Sequence, residues 1–493
     1  MKLQLSQIAR IIKARELNLP DPSVDFEGSA ASGARESVPK GAATPPSPPV
    51  EIDTKSLSID SRTIEPGDLF VALGGDDVDG HGYLREAALR GAAGALVTRE
   101  VPEVAFPQLV VPDAVAALVR LAAWVRDTID PTVVGITGST GKTGTKDMLA
   151  AITSRTMRTA YAPRSYNNEI GVPLTLLQAG IDTEVVICEM AARGKGQILQ
   201  LCEYARPWVG VVTNVGVAHF GEFGSREAIA ATKAELVSSL PQGGTAVLNA
   251  DDDRVIQMGR NTQAAVVTFG TGEEAWLRGE SVRLDAQARA TFRMQCEGES
   301  ISVALPIAGE HQVANALAAS AAALALGLTL LDCRAGLEDV KPSPSRMAIS
   351  KIGGATIVND AYNSNPDSLA AALRTCAFLA REGRFIAVLG HMAELGAIEE
   401  SEHLRAGRLA GSLVTKLIVV GDTARVIAAG AREAGFDEIT EIRTAEEVPE
   451  AVGALGPGDL LLIKGSRVTG LEKVAKWFSA PEALSRPNQG VAR

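Results

Sequence analysis

The apolar positions change rhythm several times along the chain. Near the start, Leu3, Leu5, Ile8, Ile11 and Ile12 fall among Gln4, Arg10 and Lys13, which predicts an amphipathic helix within 1–17 and not the unbroken apolar centre of a signal peptide. Residues 28–49, GSAASGARESVPKGAATPPSPP, carry no apolar rhythm, and such a composition predicts a disordered insertion. Short apolar runs at 68–73 and 95–97, separated by the glycine-rich 74–82, predict a compact first domain.

From Ala114 a helical pattern (Val115, Leu118, Leu121, Trp124, Val125) leads into a strand at 133–137. Strands are then expected at 185–188, 209–213 and 246–248, with helices at 226–240 and 311–326. After the proline-punctuated 341–344 the alternation restarts, with strands at 355–359, 385–389, 417–420 and 460–463. Strands alternating with helices imply βαβ units and largely parallel sheets. The fold class is therefore α/β in three domains: a small α/β N-terminal domain (1–112), a central P-loop mononucleotide-binding parallel-sheet domain (113–340) and a C-terminal Rossmann-like domain (341–493). The last residues, 480–493, read as a frayed polar tail.

Composition agrees with this division and narrows the function. The 493 residues suit about three domains. Aromatics are only 4% against 46% hydrophobic residues, so Ala, Val, Leu and Ile must fill the cores. A net charge of −11 disfavours binding to a nucleic-acid backbone, and any anionic ligand must meet a local positive site. The five cysteines are scattered with no C-x-x-C pair, which points to reduced thiols and a cytoplasmic protein. The most apolar stretch, 314–331, contains Asn315 and Ser320 and reads as a buried helix, so no membrane insertion is expected.

The chemistry begins at Gly135-Ile136-Thr137-Gly138-Ser139-Thr140-Gly141-Lys142-Thr143-Gly144, a strand end and a glycine-rich turn, with the helix expected from about Thr145. In such a loop the backbone N–H groups of residues 138–144 cradle phosphate oxygens, Lys142 neutralises charge and the Thr143 hydroxyl offers a ligand to magnesium. Ile136 stands where the strict G-x-x-x-x-G-K-[ST] pattern has its first glycine. A P-loop enzyme also needs an acid at a strand end to hold the metal or its water, and Glu189 closes the run Val185-Val186-Ile187-Cys188-Glu189. His219 follows Thr213-Asn214 past another strand; its spacing alone leaves a structural and a catalytic histidine equally open.

These features, with others in order along 59–474, resemble the Mur ligases, ATP-dependent amide-forming enzymes of peptidoglycan assembly. The motifs are Asp60-Ser61-Arg62, 67–73 and Asp79-Gly80-His81 in the first domain; the P-loop, 167–173, Glu189-Met190, Thr213-Asn214 with His219, Thr232-Lys233-Ala234-Glu235 and His311 with Asn315 in the second; and Arg346, 360–366 and Lys464-Gly465-Ser466-Arg467 in the third. Within the family, 167–173, 360–366 and 464–467 are most similar to the member that adds D-alanyl-D-alanine to UDP-N-acetylmuramoyl-tripeptide. The resemblance implies an acyl-phosphate mechanism, with ATP contacts from Gly138, Ser139, Thr140, Gly141, Lys142, Thr143, Gly144, Asn315, Arg346 and Asp360. It further implies magnesium held by Thr143, Glu189, His219 and a carbamylated Lys233. Lys142, Glu189, His219 and Lys233 would be the catalytic set, Ser61 and Arg62 would meet the UDP substrate, and Asn363 and Asn365 the dipeptide. A monomer is expected.

An ordinary solvated lysine is the alternative for Lys233. Two positions depart from the family pattern: Gln312 stands where an Asn is usual, and His391 where an acid is common. The rival readings are a Mur-type ligase adding the third residue, folylpolyglutamate synthase, which lacks the D-S-R and D-G-H motifs, and a P-loop ATPase switch.

Overall fold

The computed structural model describes residues 1–17, 50–75, 78–341, 343, 345–380 and 383–479. The expected insertion at 28–49 and the tail from 480 lie outside these residues. Contacts gather the chain into two compact units, Met1–Thr132 with Arg158–Cys188, and Val133–Met157 with Glu189–Arg493.

In the first unit, apolar runs too short for helices form a five-stranded sheet in the order Arg15–Leu17, Gln108–Val110, Gly94–Val97, Leu69–Val71, Leu57–Ser58. Only Arg15–Leu17 runs antiparallel. The N-terminal amphipathic helix is shorter than the pattern predicted. It spans Leu5–Ile12 and buries Leu5, Ile8, Ala9 and Ile12, while Leu3 belongs to a strand and Lys13 turns left-handed (φ 57°) to end the helix. Ala114–Ile129 starts with the Asp113 carboxylate accepting from the Ala116 N–H, a capping bond that satisfies one of the open donors of the first turn.

The second unit holds two sheets. In the first, strands Thr132–Thr137, Val209–Val212, Thr245–Asn249, Ala265–Gly270 and Leu277–Leu284 run parallel in that spatial order. Arg289–Cys296 and Glu299–Ala308 then continue it antiparallel. Four of these strands, Ala265–Gly270, Leu277–Leu284, Arg289–Cys296 and Glu299–Ala308, are not among those the sequence predicts. In Arg289–Cys296 only every second residue is buried (Ala290, Phe292, Met294, Cys296), so no continuous apolar run marks it. The expected helix at 311–326 is present as Gln312–Ala325, buried along ten positions, and a further helix, Leu330–Glu338, follows it. Among the described residues no helix is long and apolar enough to cross a membrane.

The other sheet has the order Ala348–Ile352, Ala355–Asn359, Leu460–Lys464, Phe385–Gly390, Lys416–Val420, Ile439–Ile442, all parallel except the first strand. Its inner strands are apolar on both faces because helices cover both, whereas the edge strands Ala348–Ile352 and Ile439–Ile442 bury no residue fully. Phe385, Ala387 and Leu389 enter one core, and Ile386 and Val388 the other. The last strand in the chain inserts between the second and fourth strands of the order, a break in strand order of the kind that forms a crevice at the carboxyl edge of open α/β sheets. Open α/β sheets take their ligands at such a crevice.

Candidate active site

The phosphate loop leaves the strand Thr132–Thr137 at its carboxyl end, and the helix begins at Lys142, three residues before the sequence suggested. Lys142 and Thr143 therefore sit in the first helical turn, where backbone N–H groups have no partner within the helix. Gly141 caps that turn with φ 80°, and a Cβ there would collide with the Asn315 side chain. Bonds to the loop Thr213–Gly216 fix its shape. Asn214 Oδ1 accepts from the Thr140 N–H (2.9 Å), Thr213 Oγ1 donates to the Thr140 carbonyl (2.6 Å), and the Gly216 N–H donates to Ser139 Oγ (2.9 Å). Thr213-Asn214 thus acts as a brace for the phosphate loop, a task the sequence reading did not assign to it.

Glu189 ends the strand Val185–Glu189, and the Met190 N–H donates to the Ile136 carbonyl, which sets this strand end beside the loop. Thr143 Oγ1 donates to Glu189 Oε2 at 2.8 Å, and both side chains are buried. Lys142 Nζ folds back to donate to the Gly138 carbonyl at 2.7 Å. Burial holds its ammonium below the ordinary lysine range, with Glu189 pulling it up and Arg346 pushing it down.

Lys233 lies on the helix Arg226–Ser238, which starts at Ser225, whose hydroxyl accepts from the Ala228 N–H. Lys233 is 7% exposed, and burial, with Lys142 nearby, pushes its pKa down to about 7. The solvated surface lysine does not describe it. His219 takes a left-handed backbone (φ 61°), and its Nδ1 pairs with Glu394. Among the described residues no group of three or more His, Cys, Asp or Glu side chains is placed to hold a metal ion, so any set would rest on hydroxyl, carbamate and water oxygens as well.

The architecture is that of a phosphate-binding ligase core, and the relatives identify it. The chain is 41% identical, over 86% of its own length and 91% of the relative's, to UDP-N-acetylmuramoyl-tripeptide--D-alanyl-D-alanine ligase of Mycobacterium tuberculosis (strain ATCC 25618 / H37Rv). The chain belongs to the Mur ligase family. Family models match this Mur ligase in three segments: the Mur ligase family catalytic domain at 53–124, the Mur ligase middle domain at 136–323 and the Mur ligase glutamate ligase domain at 345–467. Among solved structures, MurF from Acinetobacter baumannii covers 97% of this chain and 99% of its own, at 29% identity and TM-score 0.78. MurF ligase from Thermotoga maritima in complex with ADP covers 87% and 98%, at 27% identity and TM-score 0.73.

The remaining predicted residues of this Mur ligase have definite places. Asn315 faces the phosphate loop and donates to Gln312 Oε1 at 2.9 Å, so the unusual Gln312 supports the side chain that meets Gly141 and Gly144. Asp360 is buried, accepts from the Met347 N–H, and pairs with Lys464 at 2.6 Å. Lys464 also donates to the Asn363 carbonyl at 2.9 Å. Lys464 was noticed only as part of a motif; its pairing with Asp360 spans 104 residues and leaves no local signal. The Arg346 guanidinium lies over the Tyr362 ring, 4.2 Å from its centre.

Asn365 caps the helix Pro366–Leu379 by accepting from the Ser368 N–H, which gives it a structural task, whereas the Asn363 side chain is exposed. In the first unit, Ser61 donates to Glu86 and the exposed Arg62 forks onto Asp60 through two 2.8 Å bonds. His81 is buried; its Nδ1 contacts Asp79 at 2.6 Å while its Nε2 accepts from the Thr98 N–H, so the D-G-H motif locks a turn.

Proposed function

We propose that this Mur ligase joins D-alanyl-D-alanine to UDP-N-acetylmuramoyl-tripeptide with ATP, giving the pentapeptide precursor, ADP and phosphate. The observation that carries the reading is the buried Thr143–Glu189 pair at the foot of a phosphate loop, in a chain similar over nearly its whole length to ligases of that printed name. A hydrophobic turn would have no use for a buried carboxylate bonded to the hydroxyl that follows Lys142.

In the proposed reaction a tripeptide carboxylate oxygen attacks the γ-phosphorus of ATP and ADP departs. The dipeptide amine then attacks the acyl carbon, and phosphate leaves carrying that carboxylate oxygen. Charge accumulates on the transferring phosphoryl group, so the loop N–H groups and Lys142 act as preorganised positive partners. Asn315, Arg346 and Asp360 complete the nucleotide site. Asp360 is held in place by Lys464, which keeps it from turning toward other donors.

The chain's oxygen donors suit a hard cation: Thr143 and Glu189 already meet, and a carbamate on Lys233 would add anionic oxygen. Magnesium would be held by these residues with His219, and it would supply charge neutralisation at the phosphates. A Lys233 amine with a pKa near 7 is substantially neutral at physiological pH, the form that reacts with carbon dioxide. Ser61 and Arg62 are assigned to the UDP substrate and Asn363 to the dipeptide; Asn365 shapes the dipeptide loop as its helix cap. The functional division is 1–112 for the UDP substrate, 113–340 for ATP and 341–493 for the dipeptide, in a cytoplasmic monomer. Five buried free thiols suit a reducing compartment.

Oxygen-18 in the tripeptide carboxylate tests the reading. The proposal requires one labelled oxygen in each phosphate released and a product heavier than the tripeptide by one dipeptide residue pair. Unlabelled phosphate with no new amide would mark an ATPase switch instead.

A further inference from the structure

The loop 390–398 follows the strand Phe385–Gly390 and reaches the loops that carry His219 and Arg193. At its tip Glu394 adopts a left-handed backbone (φ 66°), as His219 does across from it (φ 61°). Residues with a Cβ enter that region rarely, and two facing each other mark a contact that the surrounding structure enforces. Glu394 places one carboxylate oxygen on His219 Nδ1 and the other 3.1 Å from Arg193, so a single side chain bridges the loops after two strands of the neighbouring sheet. The Gly221 N–H donates to the Glu394 carbonyl at 2.8 Å, and Gly221 and Gly396 approach so closely that a Cβ on either would strike the other's backbone.

The base of the loop is pinned as firmly. His391 stacks on the buried His403, with ring centres 5.1 Å apart and planes 11° from parallel. His403 Nε2 accepts from the Met392 N–H at 3.0 Å, and His403 Nδ1 meets the Glu399 carbonyl at 2.8 Å. The His391 that replaces the more usual acid therefore serves as a stacking partner that anchors the segment bearing Glu394.

We propose that Glu394 is a positioning residue for His219: its carboxylate, set against Nδ1, fixes the orientation and tautomer of the ring and leaves Nε2 to the reaction centre. This rests on the ligase reading for its catalytic consequence. A histidine that serves through one ring nitrogen commonly donates the other N–H to a carboxylate, and loss of that partner costs about 10–100-fold in affinity or activity. Because Glu394 comes from the C-terminal sheet, His219 is correctly set only while the loop 390–398 is seated against Gly221.

The test pairs kinetics with nitrogen-15 spectra of the histidine rings, the His219 signals being assigned by their loss in His219→Gln. Glu394→Ala should lower kcat by about 10–100-fold with KM for ATP within about twofold, and should turn His219 from a single Nδ1–H tautomer into a mixture. Glu394→Gln, whose amide oxygen still accepts, should restore the single tautomer and part of kcat. A His219 tautomer that is unchanged in Glu394→Ala, or a kcat within twofold of the parent, overturns the proposal. If the parent enzyme forms no amide, the ligase reading falls, and the spectra alone still decide whether Glu394 sets the ring.

Discussion

Burial disfavours the charged form of Lys142 and lowers its pKa, and Glu189 nearby opposes that shift. Its Nζ turns toward the loop carbonyls, with Gly138 2.7 Å away. Lys142→Ala should leave a folded protein, because Lys142 opens a helix whose packing face is Thr145, Met148, Leu149 and Ile152. Its kcat should fall by roughly 100–1000-fold, the loss typical of removing one preorganised donor from a developing oxyanion. Turnover within tenfold of the parent would contradict the role given to this residue.

Lys233 offers a chemical readout. Enzyme equilibrated with carbon-13 bicarbonate should show one carbamate resonance that is missing in Lys233→Ala, and that variant should lose activity. A spectrum identical for both proteins would return Lys233 to an ordinary buried amine. The phosphate-loop residues were legible in the sequence because glycine, lysine and threonine at fixed spacing encode one local shape. The depressed pKa of Lys233 was not, since it arises from burial and from Lys142, which is distant in the chain.

At the scale of elements, the third sheet is held at its amino edge by Asp459. Its carboxylate accepts from the Arg384 N–H (3.0 Å), the Arg384 guanidinium (2.5 Å) and the Gly456 N–H (2.8 Å), which ties the starts of two neighbouring strands together. These donors, Arg384 first, pull its pKa from 3.8 to about 2. A folded-state value below the unfolded one stabilises the fold above about pH 4, and that contribution drains away as pH falls toward about 2. Asp459→Asn should destabilise the protein by about 1.5–3 kcal/mol at pH 7, with the gap to the parent closing across that acidic window. A gap independent of pH would show that packing, and not the charge, holds the edge.

Parallel strands such as Ala355–Asn359 were legible as apolar runs because both of their faces are buried. Arg289–Cys296 escaped the same reading because polar residues, Arg289, Thr291, Arg293 and Gln295, alternate with its buried ones and break any apolar run, and Leu330–Glu338 escaped because its buried face is only four residues. The early start of the helix at Lys142 was hidden by Gly144, which reads as a turn residue yet sits inside the first helical turn. That difference matters chemically, since it places Thr143 where its hydroxyl reaches Glu189.

For the molecule as a whole, order along the chain and compactness in space differ. Arg158–Cys188 returns to the unit built by the first 132 residues, while the flanking segments belong to the other unit. The family models nevertheless follow the chain in three consecutive segments, as the motifs do. Compactness depends on contacts between distant residues, such as those of the helix Ala114–Ile129 with Gly171–Leu176, and no local pattern announces them.

Coupling of ATP cleavage to amide formation is the property that separates a ligase from a P-loop switch, and phosphate release measures it directly. With ATP and magnesium, release should be rapid only when UDP-N-acetylmuramoyl-tripeptide and D-alanyl-D-alanine are both present, with one amide formed per phosphate. Release that is equally fast when either acceptor is omitted would contradict it.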